Sequence, residues 1–562
     1  MPVAGDAHLG KYNELDLLFC CLLYKVSDGP QVRLLVPCLM LKLYARCLDA
    51  VHEILQKNYT TDLLIRFIVK SKEGGRLKSG GENTMLGNTD FHSLDTRIKV
   101  PSYDRTTLVP HIVHLGLGHF HRSHFCYYLH KLLEQEVTNW GIEEIDLVPS
   151  PTAEVAEKQD YLYTLCSKDP EGNREMTVIG CILGYTKGWE DKRKAIALLK
   201  RPQTKLITLT ITEKGYCYDN HTQSLDWQHP MLQHDLHCPR DPQSAVGYLS
   251  LALFERCQEN GEKLTIASCD NIPSNGHVLK RCILQYCSEV FPSIVPWIEK
   301  MVAFPLSMVD RITPSTKTED TQFLEREYGL RDEWLVVSEH FLQWVIEPEG
   351  LEGLPPFEKV GALVTKDVEA FETMKIRLLN GSHSALAYPA LLLGYTYVDE
   401  ALSDSALRSF IRNCYMREVG ETLLPIPGYD FEAYKDQLIE RFSNPHCSDT
   451  LLRLAQDGSK KFANALVPAL RTALEKGLSH KTMVCTLALW AHFIRKHASL
   501  VDDQACEALI KDVSLLDLDV KPFFGLIGLA GEQDDVLQPL FQSYLALIET
   551  EGVKHVLTHF QS

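Results

Sequence analysis

No part of this 562-residue chain offers the ~20 consecutive apolar residues that a membrane span requires. "LDLLFCCLLY" covers only residues 15–24, follows Glu14 and contains Asp16, the wrong charge for a secretion signal. "VRLLVPCLMLKLYARCL" is broken by Pro37, Lys42 and Arg46. The expectation is a soluble, cytoplasmic chain. Basic charge is also in short supply, with 57 Lys and Arg against 74 Asp and Glu and a net charge of −17. Nucleic acids and anionic membranes select a basic surface, so neither is expected as a partner. The 17 cysteines include no C-x-x-C pair; they sit in apolar runs such as "RCILQYC", which indicates reduced thiols and no disulfide framework. No internal repeat is present. A monomer or weak oligomer is expected.

Length allows two to four domains. Residues 1–92 form an extension of unassigned role: helical apolar patches, then the Gly/Ser/Lys-rich "KEGGRLKSGGENTMLGN", which has the composition of a linker. From about residue 93 the text alternates. "PHIVHLGLG" is a β-rich run ending in glycines, "HFHRSHFCYYLHKLLEQE" has helical periodicity, and "NWGIEEIDLV" is a second strand. "TKLITLTITEKGY" and "EKLTIASCDNIPSNG" add two strands ending in polar residues. Strands alternating with helices predict an α/β, Rossmann-like doubly wound domain over 93–290. Long helical patterns such as "TMVCTLALWAHFIRKHA" predict a mainly α-helical domain over 291–562.

The chemistry-bearing residues cluster at the ends of these strands. Gly116-x-Gly118 lies at a strand-to-helix turn, where a pyrophosphate can approach the backbone; His121 stands where a third glycine is usual. An acid at the end of the second strand would bind a ribose hydroxyl and repel a 2′-phosphate, favouring NAD over NADP. Glu143, Glu144 and Asp146 are all candidates, and Asp146 is the one carried into the cofactor set. Ligands in such sheets bind beyond the carboxyl ends of the strands. Thr212, Glu213, Asp270, Asn271, Asp310 and Arg311 are therefore candidate lining residues. In "MKIRLLNGSHSALAY", helical spacing at ~100° per residue brings Glu372, Lys375, Asn380 and His383 within an arc of about 140°. A different class of function is also open. His111, His114, His119, His121 and His124 crowd into fourteen positions, a pattern that can hold the metal of a hydrolase, although no second set of ligands accompanies it.

Five stretches in order, "IVHLGLGHFHRSH", "TLTITEKGY", "SCDNIPSNG", "FPLSMVDRITP" and "MKIRLLNGSHSALAY", resemble the polyol-specific long-chain dehydrogenases, from about residue 94 to near the C-terminus. The resemblance implies a Rossmann-like domain followed by a helical domain, with NAD in the cleft between them. It implies metal-independent interconversion of a polyol and its ketose, D-mannitol and D-fructose being the leading pair. A uronate (fructuronate-type) reductase is the alternative, with Arg311, Arg377 or Arg453 available for the carboxylate. Carried over by motif, Lys375 is the general base, Asn271 and Asn380 hold the reacting oxygen, and His383 orients the substrate. Glu372 lies on the proton path, Asp310 and Arg453 lie near the sugar hydroxyls, and Phe120 and Arg122 join the glycine turn around the cofactor. The run "EEIDLVPSP" departs from the family's glycine-containing text at the second strand.

Overall fold

The computed structural model describes residues 84–87, 91–219, 222–259, 261–446, 449–529, 531 and 534–560. The expected N-terminal helical patches and most of the Gly/Ser-rich linker lie outside the described residues. The end of that linker does not behave as one. Thr84–Met85 form a short strand parallel to Leu330–Arg331, and Leu86 is fully buried.

Six strands form one parallel sheet: β1 (Val109–Leu115), β2 (Trp140–Asp146), β3 (Ile182–Lys187), β4 (Leu206–Leu209), β5 (Leu264–Ser268) and β6 (Val302–Ala303). Their order is β3-β2-β1-β4-β5-β6, the arrangement of dinucleotide-binding sheets. Period-2 alternation sends neighbouring residues to opposite faces. Val113, Leu115, Ile207 and Ile266 pack with Leu249 and Leu253 of α3 (Ala245–Glu259). Ile112, Leu206 and Ala267 pack on the other face with Leu129 and Leu132 of α2 (Phe125–Glu134), which follows the short α1 (His119–Ser123). Both faces are covered, as a parallel sheet requires.

The helical domain, expected from residue 291, begins only at Val368. The sheet runs on through β6, and a second sheet follows from β7 (Ser307–Asp310), β8 (Gln343–Ile346) and β9 (Leu363–Val364). Val336–Glu339 joins the hairpin Tyr163–Lys168/Arg174–Ile179 in a third. These strands have two to six residues, too few for a periodic signal to stand out.

Beyond them α4 (Val368–Met374) continues through a π-helical turn, Lys375–Asn380, into α5 (Gly381–Leu392). α6 (Phe431–Phe442), α7 (Leu451–Ala455) and α8 (Lys481–Lys496) surround it. α8 is buried on every side from Thr482 to Ile494, as an all-round apolar helix must be. Among the described residues no helix is long and apolar enough to cross a membrane.

One buried charge cluster ties the domains together. Arg441 of α6 donates to both carboxylate oxygens of Asp310 (2.8 and 2.9 Å) and both of Glu339 (3.0 and 2.7 Å). Its guanidinium also lies 3.9 Å over the Phe341 ring. Removing the cation strands two buried carboxylates, a change that costs about 3–5 kcal/mol. Arg441→Met should therefore lower the urea midpoint sharply with little change in denaturant slope. An unchanged midpoint would show that the cluster does not hold the domains.

Candidate active site

The glycine turn is shaped by close approach. Gly116 has φ +101°, and a Cβ there would lie 2.3 Å from the carbonyl oxygen of Thr210, the residue just past β4. No side chain fits, so the turn stays narrow. Gly118 is exposed, with the space beside it open to a ligand. The three candidate acids separate. Glu144 points inward to His121, and Glu143 packs over Gly184. Asp146 alone reaches the turn, accepting from Leu117 N–H at 2.8 Å and from the Tyr185 hydroxyl at 2.9 Å. Phe120 is half-buried and stacks on His124. Arg122, expected to meet the cofactor, is instead 1% exposed. Its guanidinium lies over Trp334 and donates to that residue's carbonyl, since a buried cation must spend its donors on the interior.

Asp270, in the loop after β5, accepts from Ile211 N–H, Thr212 N–H and the Tyr216 hydroxyl in the turn after β4. It thereby holds Thr212 in the left-handed region, at φ +62°. Next to it, Glu213 meets Lys460 of the helical domain at 3.6 Å. The end of β5 supplies Asn271, whose Oδ1 accepts from Lys375 Nζ at 2.5 Å. Ser274 N–H donates to both oxygens of Glu372, at 3.0 and 2.9 Å. Two elements from opposite domains are thus joined at the lysine.

Lys375 and Asn380 bound the π turn, in which Gly381 N–H reaches Ile376 O. The extra residue in this turn departs from uniform α-helical spacing, and such bulges recur at functional sites. Burial lowers the pKa of Lys375, opposed by the nearby charges of Asp310 and Glu372. Burial raises Glu372 to about 7. Burial holds His383 neutral, helped by Arg453, Lys461, Arg441 and Lys375 around it. Among the described residues the Asn271 Nδ2, the Asn380 amide and the His383 ring nitrogens have no protein hydrogen-bond partner.

The arginines considered for a carboxylate are already engaged. Arg311 is buried and donates to the carbonyls of Glu339 and Ser123. Arg377 turns to Thr422 and Thr472. Arg453 is held bidentately by Asp449. Asp310, expected beside the sugar hydroxyls, has both oxygens on Arg441. Residues not singled out in the sequence also belong to this region. Arg441, Phe442, Asn444 and Asp449 line a small pocket with His383. Lys461 donates to Leu454 O at 2.9 Å, and burial lowers its pKa to about 8. Lys461 lies eight residues after Arg453 in "LLRLAQDGSKKF", a usable signal. Arg441 had none, because an arginine on an amphipathic helix reads as solvated.

The histidine cluster resolves into separate roles. His111 binds Gln203 O, His124 binds Gln343 O, and His119 is exposed. His114, His121 and Glu144 do bring ligand-type atoms within 4.8 Å. The two rings, however, stack at 3.3 Å and only 13° from parallel, so their in-plane lone pairs run side by side and do not converge on one ion. His114 also bonds Thr208 and Thr210, bracing the Gly116 turn from below.

Sheets of this order bind a dinucleotide in the crevice where strand order reverses. A buried amine facing that crevice suits removal of a hydroxyl proton, and fold and site together define a Rossmann-type dehydrogenase. The chain belongs to the mannitol dehydrogenase family. Residues 110–359 match the mannitol dehydrogenase Rossmann domain, and residues 367–525 match the mannitol dehydrogenase C-terminal domain. A mannitol 2-dehydrogenase of Aspergillus fumigatus is 37% identical over 75% of this chain and 85% of its own length. The D-mannonate oxidoreductase of Escherichia coli is also 37% identical, over 76% of this chain and 90% of its own. Among solved structures, the Pseudomonas fluorescens mannitol 2-dehydrogenase ternary complex with NAD and D-mannitol matches with TM-score 0.77 and 32% identity. It covers 85% of this chain and 99% of that one.

The Glu372 shift has a measurable consequence. With its pKa raised from 4.5 to about 7, the folded chain keeps a proton that the unfolded chain releases over that interval. This group's contribution to stability is therefore full below about pH 4.5 and is lost as pH rises through 7. Glu372→Gln removes the loss, so its melting temperature relative to the native chain should climb between pH 4.5 and 7. A pH-independent difference would show that Glu372 titrates normally.

Proposed function

We propose that this protein interconverts a polyol and its ketose with NAD, D-mannitol and D-fructose being the preferred pair. The observation that carries the reading is the bond from Lys375 to Asn271 across the cleft, a lysine whose ammonium is destabilised by burial beside amide groups with free donors. The Gly116–Gly118 turn and Asp146 suit a dinucleotide: the backbone at Gly118 is open, and an acid beside it favours an unphosphorylated ribose. When bound, the nicotinamide accepts the hydride.

The chain's own residues manage the proton and the charge. Lys375 in its neutral form takes the hydroxyl proton. Asn271 and Asn380 donate N–H bonds to the oxygen as it becomes an alkoxide, a task that elsewhere falls to a metal. His383, held neutral, can donate to one hydroxyl and accept from another. Glu372, titrating near neutrality and one helical turn from Lys375, carries the proton onward. A cytoplasmic setting suits the cysteines, none of which is paired among the described residues.

The similarity to the D-mannonate oxidoreductase supports a second reading, oxidation of a sugar acid. The engagement of Arg311, Arg377 and Arg453 by protein groups favours the neutral polyol. Rates with NAD on a panel of polyols and sugar acids decide between them; activity confined to the acids would overturn the polyol reading.

Lys375→Ala tests the chemistry. It should lower turnover by roughly 10²–10⁴-fold while NAD binding stays near normal. The rise of the oxidation rate with pH should vanish with it, and small primary amines should restore part of the rate. Asn271→Ala and Asn380→Ala should lose turnover without amine rescue, because they remove oxyanion donors and no base. A folded Lys375→Ala enzyme retaining more than about a tenth of native turnover would rule out the lysine as base.

A further inference from the structure

Arg453 is the most exposed of the three guanidiniums considered for a substrate carboxylate, and its charge is already compensated. Nε donates to Asp449 Oδ1 at 2.6 Å and Nη2 donates to Asp449 Oδ2, a bidentate pair. The arginine side chain is 52% exposed and that of Asp449 only 9%. Asp449 is fixed from behind, since its carbonyl accepts from Val398 N–H and the following Thr450 caps α7, which carries Arg453. Asp449 lines a small pocket with His383, Arg441, Asn444 and Asp399, and the Arg453 guanidinium lies near enough to His383 to disfavour a charge on that ring. Arg441 is in turn neutralised by Asp310 and Glu339.

We infer that Asp449 sets substrate class in this enzyme by masking Arg453, so that the site takes neutral polyols and rejects sugar acids. The inference rests on the polyol reading given above and names a residue that enforces it. A neutral hydroxyl can accept from the guanidinium edge that Asp449 leaves open, with no net charge to balance. A substrate carboxylate arriving at the same edge meets a guanidinium already bonded on one side and a second anion beside it. Like charges at such range disfavour binding, and specificity through an unfavourable neighbour is a general device. Asp449→Asn keeps the side-chain shape and an oxygen for Arg453 Nε while deleting the negative charge. It should turn Arg453 into an open bidentate partner for a carboxylate, the geometry for which arginine is best suited.

The test compares kcat/KM for D-mannonate and D-mannitol, with NAD, in the native enzyme, Asp449→Asn and Asp449→Asn/Arg453→Gln. The acid-to-polyol ratio should rise by about tenfold or more in Asp449→Asn, mainly through a lower KM for the acid, as a charge-assisted bidentate pair allows. In the double variant the gain should disappear. General loss of packing would depress both substrates together and leave the ratio unmoved. An unchanged ratio in folded Asp449→Asn, or a gain that survives loss of Arg453, overturns the inference. Asp449→Ser makes the same charge change with smaller volume and decides the matter if the asparagine variant does not fold. A native enzyme that already prefers D-mannonate would defeat the polyol reading by itself, and is distinguishable because it is read from the native ratio and not from its change.

Discussion

Taking an ammonium group out of water costs several kcal/mol unless polar partners meet it. Lys375, of the helical domain, is met by Asn271 of the other. Its bond to Asn271 requires the loop after β5 to sit where the π turn of the helical domain can reach it. That loop is tethered by Asp270, which also fixes the turn after β4, and by Ser274, which is clamped to Glu372. Fold, cleft and lysine basicity are therefore one problem. Any rearrangement that opened the domains would hydrate the lysine and return its affinity for protons toward that of a free amine.

The remaining strong charges near the cleft are grouped into compensated sets. Arg441 serves two carboxylates, and Arg453 is covered by Asp449. Farther out, Lys168 pairs with Asp320 under the third sheet. Deep charges handled this way raise little net field, and beside them stand amides, a neutral imidazole and an amine whose protonated form burial disfavours. Such a set matches a ligand made of hydroxyl groups.

Much of this was legible in the sequence where function and local structure share a signature. The glycines after β1, the polar residues ending β4 and β5, and the helical run carrying Lys375, Asn380 and His383 all lie in text whose pattern declares the element. Legibility failed where tertiary context decides. β6 and β9 are two residues long and owe their existence to neighbouring strands. Arg122 sits among the turn's residues in sequence, yet its side chain points into the core, a choice made by Trp334 more than two hundred residues away. Arg441 is one of several charged residues on an amphipathic helix until Asp310 and Glu339 are brought against it. The spacing argument for Lys375 and His383 assumed a regular helix, and the chain reached a workable arrangement through a π turn that no residue pattern announces.

The π turn also constrains how this segment can change in length. Relative to a regular helix it contains one surplus residue, and an α-helix turns by ~100° for each residue. Deleting any residue between 375 and 380 would let the backbone relax into the commoner hydrogen-bond pattern, a local gain in regularity. The flanking helices would keep nearly their present directions, because a π turn takes up its surplus residue by turning less per residue. What the irregular form sets is therefore local: where the side chains between Lys375 and Asn380 project.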